Sequence, residues 1–308
     1  MLFLYGLSEN IKALPLVLSL VALASFILFE YKVAADPIVP LAVLGSRGAL
    51  LSCVGQLGLM AARWTVLFYT PITALAVWGF NPAAAGSILV PTNLGFGLGG
   101  LLVGWLHVRR AGSFYLSCLA SIVLFTCSLL ALAFATAVDT NFPLYVFIVF
   151  LNGFFTGAAL NYTLAHVLHL TLPRTHYMAT SLVGTFRGFA GSFGSAIGGG
   201  IFARTLRRSL EDGFRAVDGD NDADGRRAAL IRQLLGSPAL VYGGDLTAKE
   251  QEVAVQGYAH ATRVLFLAAV ALSVVIFVVQ AGTGWKTPID DEIAENLASN
   301  SDREDEDR

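Results

Sequence analysis

The run ALLSCVGQLGLMAARWTVLFYTPITALAVW, Ala49 to Trp78, holds thirty residues and a single charge, Arg63. A hydrocarbon core about 30 Å thick is crossed by about 20 helical residues. The run is therefore long enough to span a bilayer. It shows no period-two alternation, so it reads as helix and not as barrel strand, the two structures that lipid permits. Similar runs lie near 13–29, 84–108, 113–136, 143–170, 177–205 and 259–281, which predicts about seven spans. Composition points the same way. The 308 residues are 55% hydrophobic and 14% charged, whereas a soluble domain carries about 25% charge. An all-α integral membrane protein is expected, with the lipid bilayer as its first partner. A soluble domain and a disordered chain are both excluded.

The spans divide the chain into five parts. Residues 1–48 hold a first helix and a loop, and 49–205 hold helices two to six. A long hydrophilic loop follows over 206–258, then a seventh helix over 259–284 and an acidic, disordered tail over 285–308. The net charge of −2 hides that tail, which has nine acids against Lys286, Arg303 and Arg308 and leaves the remainder at net +4. No basic patch for nucleic acid stands out. Cys53, Cys118 and Cys127 sit in apolar runs without metal or disulfide spacing, and no cofactor or metal is expected. Gly219 to Gly225 (GDNDADG) lacks the spacing and terminal Glu of an EF-hand loop. Arg226 to Leu235 could form a short amphipathic helix at the membrane surface.

Loops 31–48, 109–112 and 171–176 carry Lys32, Arg47, Arg109, Arg110 and Arg174, while 79–83 and 136–142 carry no Lys or Arg. The positive-inside bias puts the first set in the cytosol, the N-terminus outside and the acidic tail inside. Loop 206–258 opposes this with six arginines, although long loops cross with little regard to charge.

Charges deep in spans cost about 2.5–3.5 kcal/mol each on the insertion scale. Two are deep here, Arg63 and Arg187. Ser52, Gln56 and Thr70 fall within about 20° of Arg63 on a helical wheel. Thr180, Gly184, Gly191, Gly194 and Gly198 line up with Arg187. Asn152, Thr156, Thr163 and His166 share a face, as do Asn93, Gly86, Gly97, Gly100 and Gly104. These faces predict a bundle around a polar interior, in which Arg63 and Arg187 hold an anionic group such as a carboxylate. The glycines are read as close packing, and His166 as a polar helix-end residue. No Asp or Glu is deep in any span, so a carboxylate relay is missing from these helices. Pro71 and Pro91 are expected to interrupt their helices, as in transporter binding sites.

Three stretches carry a resemblance. They are LMAARWTVLFYTPITALAVWGFNPAAAGSILVPTNLGFGLGGLLVGWLHVRRAGSFY (Leu59–Tyr115), FLNGFFTGAALNYTLA (Phe150–Ala165) and ATSLVGTFRGFAGSFGSAIG (Ala179–Gly198). They resemble fungal major facilitator transporters of the fourteen-helix drug:proton antiporter type, and vacuolar basic amino acid transporters in particular. The likeness covers residues 13–281 and only the second half of such proteins. It implies one linker helix followed by a C-terminal six-helix bundle, with a substrate site shared with a first-half bundle. Arg63, Arg187 and Tyr69-Thr70-Pro71 match residues of the similar transporters. The substrate-pathway candidates are Arg63, Arg187, Gln56, Tyr69, Thr70, Asn93, Asn152 and Thr156. Gly104, Arg109, Arg110 and Gly112 echo the superfamily's gating-loop motif, though its Asp is lacking and Ser113 stands where a basic residue is usual.

The resemblance implies a secondary carrier for small organic solutes, basic amino acids or drugs, moved by alternating access with proton coupling. The expected location is the vacuolar or plasma membrane, and the expected partner is a separate N-terminal half. A non-transporting truncated fragment is the alternative within this family. A seven-helix receptor shares the topology, but the chain lacks Asn-Pro-x-x-Tyr, Asp-Arg-Tyr and a retinal lysine in its last span. An intramembrane enzyme would need a nucleophile. Ser192 and Ser195 are read instead as small packing residues, so no catalytic residue is expected.

Overall fold

The computed structural model describes residues 46–106, 113–137, 140–171, 175–218, 226–244 and 246–284, together with single helical positions between 14 and 28. Most of the expected first span, the acidic tail, the Gly219–Gly225 stretch and the gating-loop residues Arg109, Arg110 and Gly112 lie outside the described residues. Among the described residues there is no strand, and the fold is that of an all-α membrane protein. Helix α1 runs Arg47–Ala76, α2 Pro82–Ser87, α3 Leu89–Leu106, α4 Tyr115–Ala135 and α5 Phe142–Leu170. Then come α6 His176–Asp218, α7 Arg226–Gly236, a 3-10 turn Pro238–Tyr242 and α8 Ala248–Ala281.

Five segments of the described chain are long and apolar enough to cross a membrane: Arg47–Ala76, Pro82–Trp105, Tyr115–Ala135, Phe142–Leu170 and Ala248–Ala281. The expected span 177–205 is the first part of α6, a helix of 43 residues. Its glycines, serines and Arg187 dilute the apolar content that marks the other five.

Local chemistry sets several ends. The Ser46 hydroxyl accepts from the Ala49 amide to start α1. After α1, Gly79 turns the chain at φ +68°, a conformation that glycine adopts without a Cβ penalty. Asn81 caps α2 through the Ala84 amide at 2.8 Å, with Pro82 at the first turn. Pro91, expected to interrupt a span, falls in the first turn of α3 instead, where its missing N–H costs little. The break itself comes at Ile88, between α2 and α3. Pro71 does lie inside α1, and the helix continues through it.

Helix α1 packs against α5, α6 and α8, while α8 also closes on α4 and α6. Their shared core includes Leu59, Phe125, Tyr145, Tyr258 and Phe266. Lipid tails are as apolar as leucine, so helices need close contact and hydrogen bonds to associate. Both are present. Thr73 meets Thr262 at 3.2 Å, Thr126 meets Ser273 at 2.6 Å, and Asn152 donates to Ser128 at 3.0 Å. Nearer the other end of α8, Gln280 donates to Ser52 at 3.3 Å, and the Tyr115 hydroxyl donates to the Ala281 carbonyl at 2.8 Å.

The α3–α5 crossing depends on four glycines. A Cβ built on Gly95, Gly99, Gly153 or Gly157 would stand 2.0–2.2 Å from a carbonyl oxygen of the facing helix. Only hydrogen fits there. The predicted stripe was a different set: Gly86, Gly97 and Gly104 have nothing within 4 Å, and Gly100 meets the Asn161 amide. Packing on α3 therefore uses the glycines beside the predicted face, and the face itself is largely open. On α6 the prediction fares better. Gly191 and Gly194 fit around Trp64, and Gly198 meets Thr65, although Gly184 is open.

The expected loop 206–258 is mostly helical. Helix α6 continues to Asp218, and α7, the 3-10 turn and the first turns of α8 fold against it. Phe214, Ile231, Leu234 and Val241 are buried in the main core, so the apolar side of α7 packs on protein. The Tyr258 hydroxyl donates to the Leu234 carbonyl, and Tyr242 donates to the Val77 carbonyl at 2.9 Å. Arg227 pairs with Glu250 and lies 5.0 Å from the Phe214 ring centre. Glu250 also completes a capping box with Thr247. Charged composition hid this cap from a hydropathy reading, because four or five apolar anchors suffice to fold it.

Two outcomes test this packing. Gly157→Ala should overpack the α3–α5 crossing and cost about 1–3 kcal/mol or more, read as a lower melting midpoint in detergent. Gly97→Ala, facing open space, should be neutral or slightly stabilising. In the cap, Glu250→Ala should cost about 1–2 kcal/mol through the lost box and speed hydrogen exchange over 226–244 while sparing α3 and α5. Glu250→Gln should lose less, since glutamine still caps and only the partly buried ion pair with Arg227 is given up.

Candidate functional site

Gln56 and Arg63 lie seven residues apart on one side of α1, about 10 Å along the axis. Two polar clusters form at these levels. At the first, the Gln56 amide donates to the Leu160 carbonyl of α5 at 3.0 Å. Arg187 of α6 then donates from Nε to Gln56 Oε1 at 2.7 Å and from Nη2 to the same Leu160 carbonyl at 3.2 Å. Gln56 is fully buried and Arg187 half-buried. One glutamine and one carbonyl thus join three helices to a single guanidinium.

At the second level, Arg63 is 2% exposed. Its Nη2 donates to Asn93 Oδ1 of α3 at 2.9 Å, and its Cζ lies 4.2 Å from the Phe96 ring centre. Its Nη1 is buried without a hydrogen-bond partner. Asn93 is exposed and is braced by its own donation to the Leu89 carbonyl at 2.9 Å. The surroundings on α3 are open, since Gly97 and Gly104 face empty space, as does Gly86 of α2. Helix α6 is similarly open at Gly184 and Gly188.

Both guanidinium groups are held by neutral groups. The acids among the described residues are Glu211, Asp212, Asp218, Glu250 and Glu252, and all five belong to the cap or the helix turns that enter it. Among the described residues, the bundle therefore keeps positive charge inside with no carboxylate to balance it. A hydrogen bond to a charged group contributes about 1.5–3 kcal/mol, and a desolvated cation–π contact about 2. An anion about 4 Å away would add about 4 kcal/mol at an effective dielectric of 20. The anion is thus the largest stabilising term still open to Arg63. Chemically, the site can accept a carboxylate or a similar oxyanion.

The remaining predicted pathway residues sit elsewhere. Thr70, Asn152 and Thr156 have no exposed surface, and Tyr69 is nearly buried against Phe202 with ring centres 4.6 Å apart. Thr70 and Thr156 donate back to Val66 and Asn152 carbonyls of their own helices. Asn152 bonds Ser128 inside the core and leaves Oδ1 unpaired. The structure thus joins Arg63 with Asn93 and Arg187 with Gln56, and keeps the other four within the packed interior. Gly104 is exposed at the end of α3. Sequence reading missed Phe96 and the Leu160 carbonyl. An aromatic at i+3 from Asn93 was a weak cue for the first, and no side-chain pattern reveals a backbone acceptor. His166 meets the Thr283 hydroxyl at 3.0 Å where α5 and α8 end, and Ser195 donates only to the Ser192 carbonyl at 3.2 Å.

No protein-family model matches the sequence. The chain is similar to a protein named MFS transporter L2 from Phoma sp. (strain ATCC 20986 / MF5453), with 24% identity over 225 residues. The match takes in 73% of this chain and 37% of that protein, so the chain spans little more than a third of the curated relative. The apolar helices make the chain a multi-pass membrane protein, and the protein it is similar to is named as a transporter.

Proposed function

We propose that this chain forms one bundle of a major facilitator secondary carrier and moves small organic solutes bearing a carboxylate, such as basic amino acids or drugs. The observation behind this reading is the Arg63 group, buried, uncompensated by any acid, and one layer beneath the exposed Asn93 on an open glycine face. In this arrangement Asn93 is the outermost reachable atom of the site. An arriving carboxylate displaces Asn93 from Nη2 and engages both terminal nitrogens, the bidentate geometry that arginine offers and lysine does not. Arg187, fixed on Gln56 and the Leu160 carbonyl, holds a second positive pole about two turns away. A second bundle facing α3 and α6 completes the site and supplies acids for a cationic side chain and for proton coupling. The basic ends of the spans face the cytosol, and the vacuolar or plasma membrane is the proposed location.

Proteoliposome uptake of labelled lysine or arginine tests this, using the chain with and without a coexpressed N-terminal half of a related carrier. Uptake is expected only with both halves; full-rate uptake by this chain alone contradicts the two-bundle reading. In the active pair, Arg63→Gln should lower uptake at least about tenfold, the loss of roughly 1.4 kcal/mol or more of binding. Arg63→Lys should restore it only in part. Thr156→Ser, which keeps the bond to its own helix, should transport as the parent does.

A further inference from the structure

Where α6 and α8 leave the apolar layer they part around a groove of about 540 Å³ on the cap side of the bundle. Thr205, Arg208 and Ser209 line it from α6, and Gln256 and His260 from α8, with Asp212 at the end farther from the apolar layer. Gly213 and Gly257 form its floor, where a Cβ would meet Val253 at 2.6 Å and Leu210 at 3.1 Å. Arg208 and His260 are exposed, and the described ion pair of this region belongs to Arg227 and Glu250 instead. The α6 turn at this level also carries Arg204 and Arg207. One turn deeper the same two helices, with α1, enclose an apolar groove of about 160 Å³. Gly194, Gly198 and Ile201 of α6 and Leu265 and Ala269 of α8 line it.

Depth gives this pair of grooves its meaning. The apolar run of α8 begins just past Arg263, one turn inward of His260, and that of α6 ends near Ala203, so the polar groove lies at the level of lipid headgroups. It offers a guanidinium, hydroxyls, an amide and an imidazole on the membrane side, and its one acid on the far side. We propose that this groove binds the phosphate of an anionic phospholipid, with an acyl chain lying over the small residues of the deeper groove. Arg208 supplies the charge-assisted bonds, while Ser209, Gln256 and His260 fix the headgroup. The site is separate from Arg63 and Arg187 and rests only on the chain's spanning a membrane. A lipid wedged there holds α6 against α8 at the point where the cap is rooted.

Native mass spectrometry of the purified full chain tests this with phosphatidic acid, phosphatidylcholine and inorganic phosphate as probes. Phosphatidic acid should be retained about fivefold more than phosphatidylcholine, the preference expected of one arginine at the surface. Arg208→Gln combined with His260→Gln should bring it down to the phosphatidylcholine level, and Arg208→Lys should keep most of it. Arg232→Gln on α7, which removes the same charge elsewhere, should change nothing. Size-exclusion profiles confirm that each variant is folded. The proposal is overturned if the double variant binds phosphatidic acid undiminished, or if Arg232→Gln weakens binding equally. Complete competition by inorganic phosphate also overturns the lipid assignment, in favour of a small-anion site.

Discussion

A guanidinium ion in an apolar bundle needs either water or an acid, and Arg63 has neither a carboxylate partner nor appreciable exposure. Asn93 and Phe96 offset part of its desolvation, and one terminal nitrogen is left over. A structure that served packing alone would gain by placing leucine there, since a buried charge in lipid costs several kcal/mol. The rest of the architecture follows from keeping that charge tolerable. Helix α3 must bring Asn93 to α1 while the glycines on that same face stay open. The four-glycine crossing with α5 holds α3 in that place.

The two arginine levels differ in kind. Arg187 is satisfied by Gln56 and a backbone carbonyl, so its removal would disturb three helices at once. Arg63 makes one hydrogen bond to the two of Arg187 and keeps Nη1 unpaired. On the proposed reading, positioning falls to Arg187 and binding to Arg63. The sealed core of Thr73, Thr262, Ser128 and Asn152 takes the other polar residues and binds helices together without offering a path.

Much of this was legible in the residues. Long apolar runs located the crossing helices, because the bilayer admits few alternatives, and the cost of charge in lipid marked Arg63 and Arg187. Polar periodicity was less informative, since a threonine that bonds its own helix, as Thr70 and Thr156 do, and one that lines a cavity have the same spacing. Which glycines pack could not be read either: Gly95 and Gly97 differ only in which side of α3 they occupy. Of the cap, the short helix expected from Arg226 to Leu235 was legible; its packing was not, because hydropathy averages over Phe214, Ile231 and Leu234, whose anchoring depends on partners distant in the chain.

On the proposed reading, the Asn93 face above Arg63 borders water and admits an anionic solute. Thiol accessibility measures this directly, in a chain whose three native cysteines are replaced and whose second bundle is present. A cysteine at Gly97 should react with a membrane-impermeant maleimide and be shielded by a carboxylate substrate, while one at the exposed Leu124 of α4 should stay unreactive. A Gly97 cysteine as inert as the Leu124 control would place that face against lipid and contradict the account.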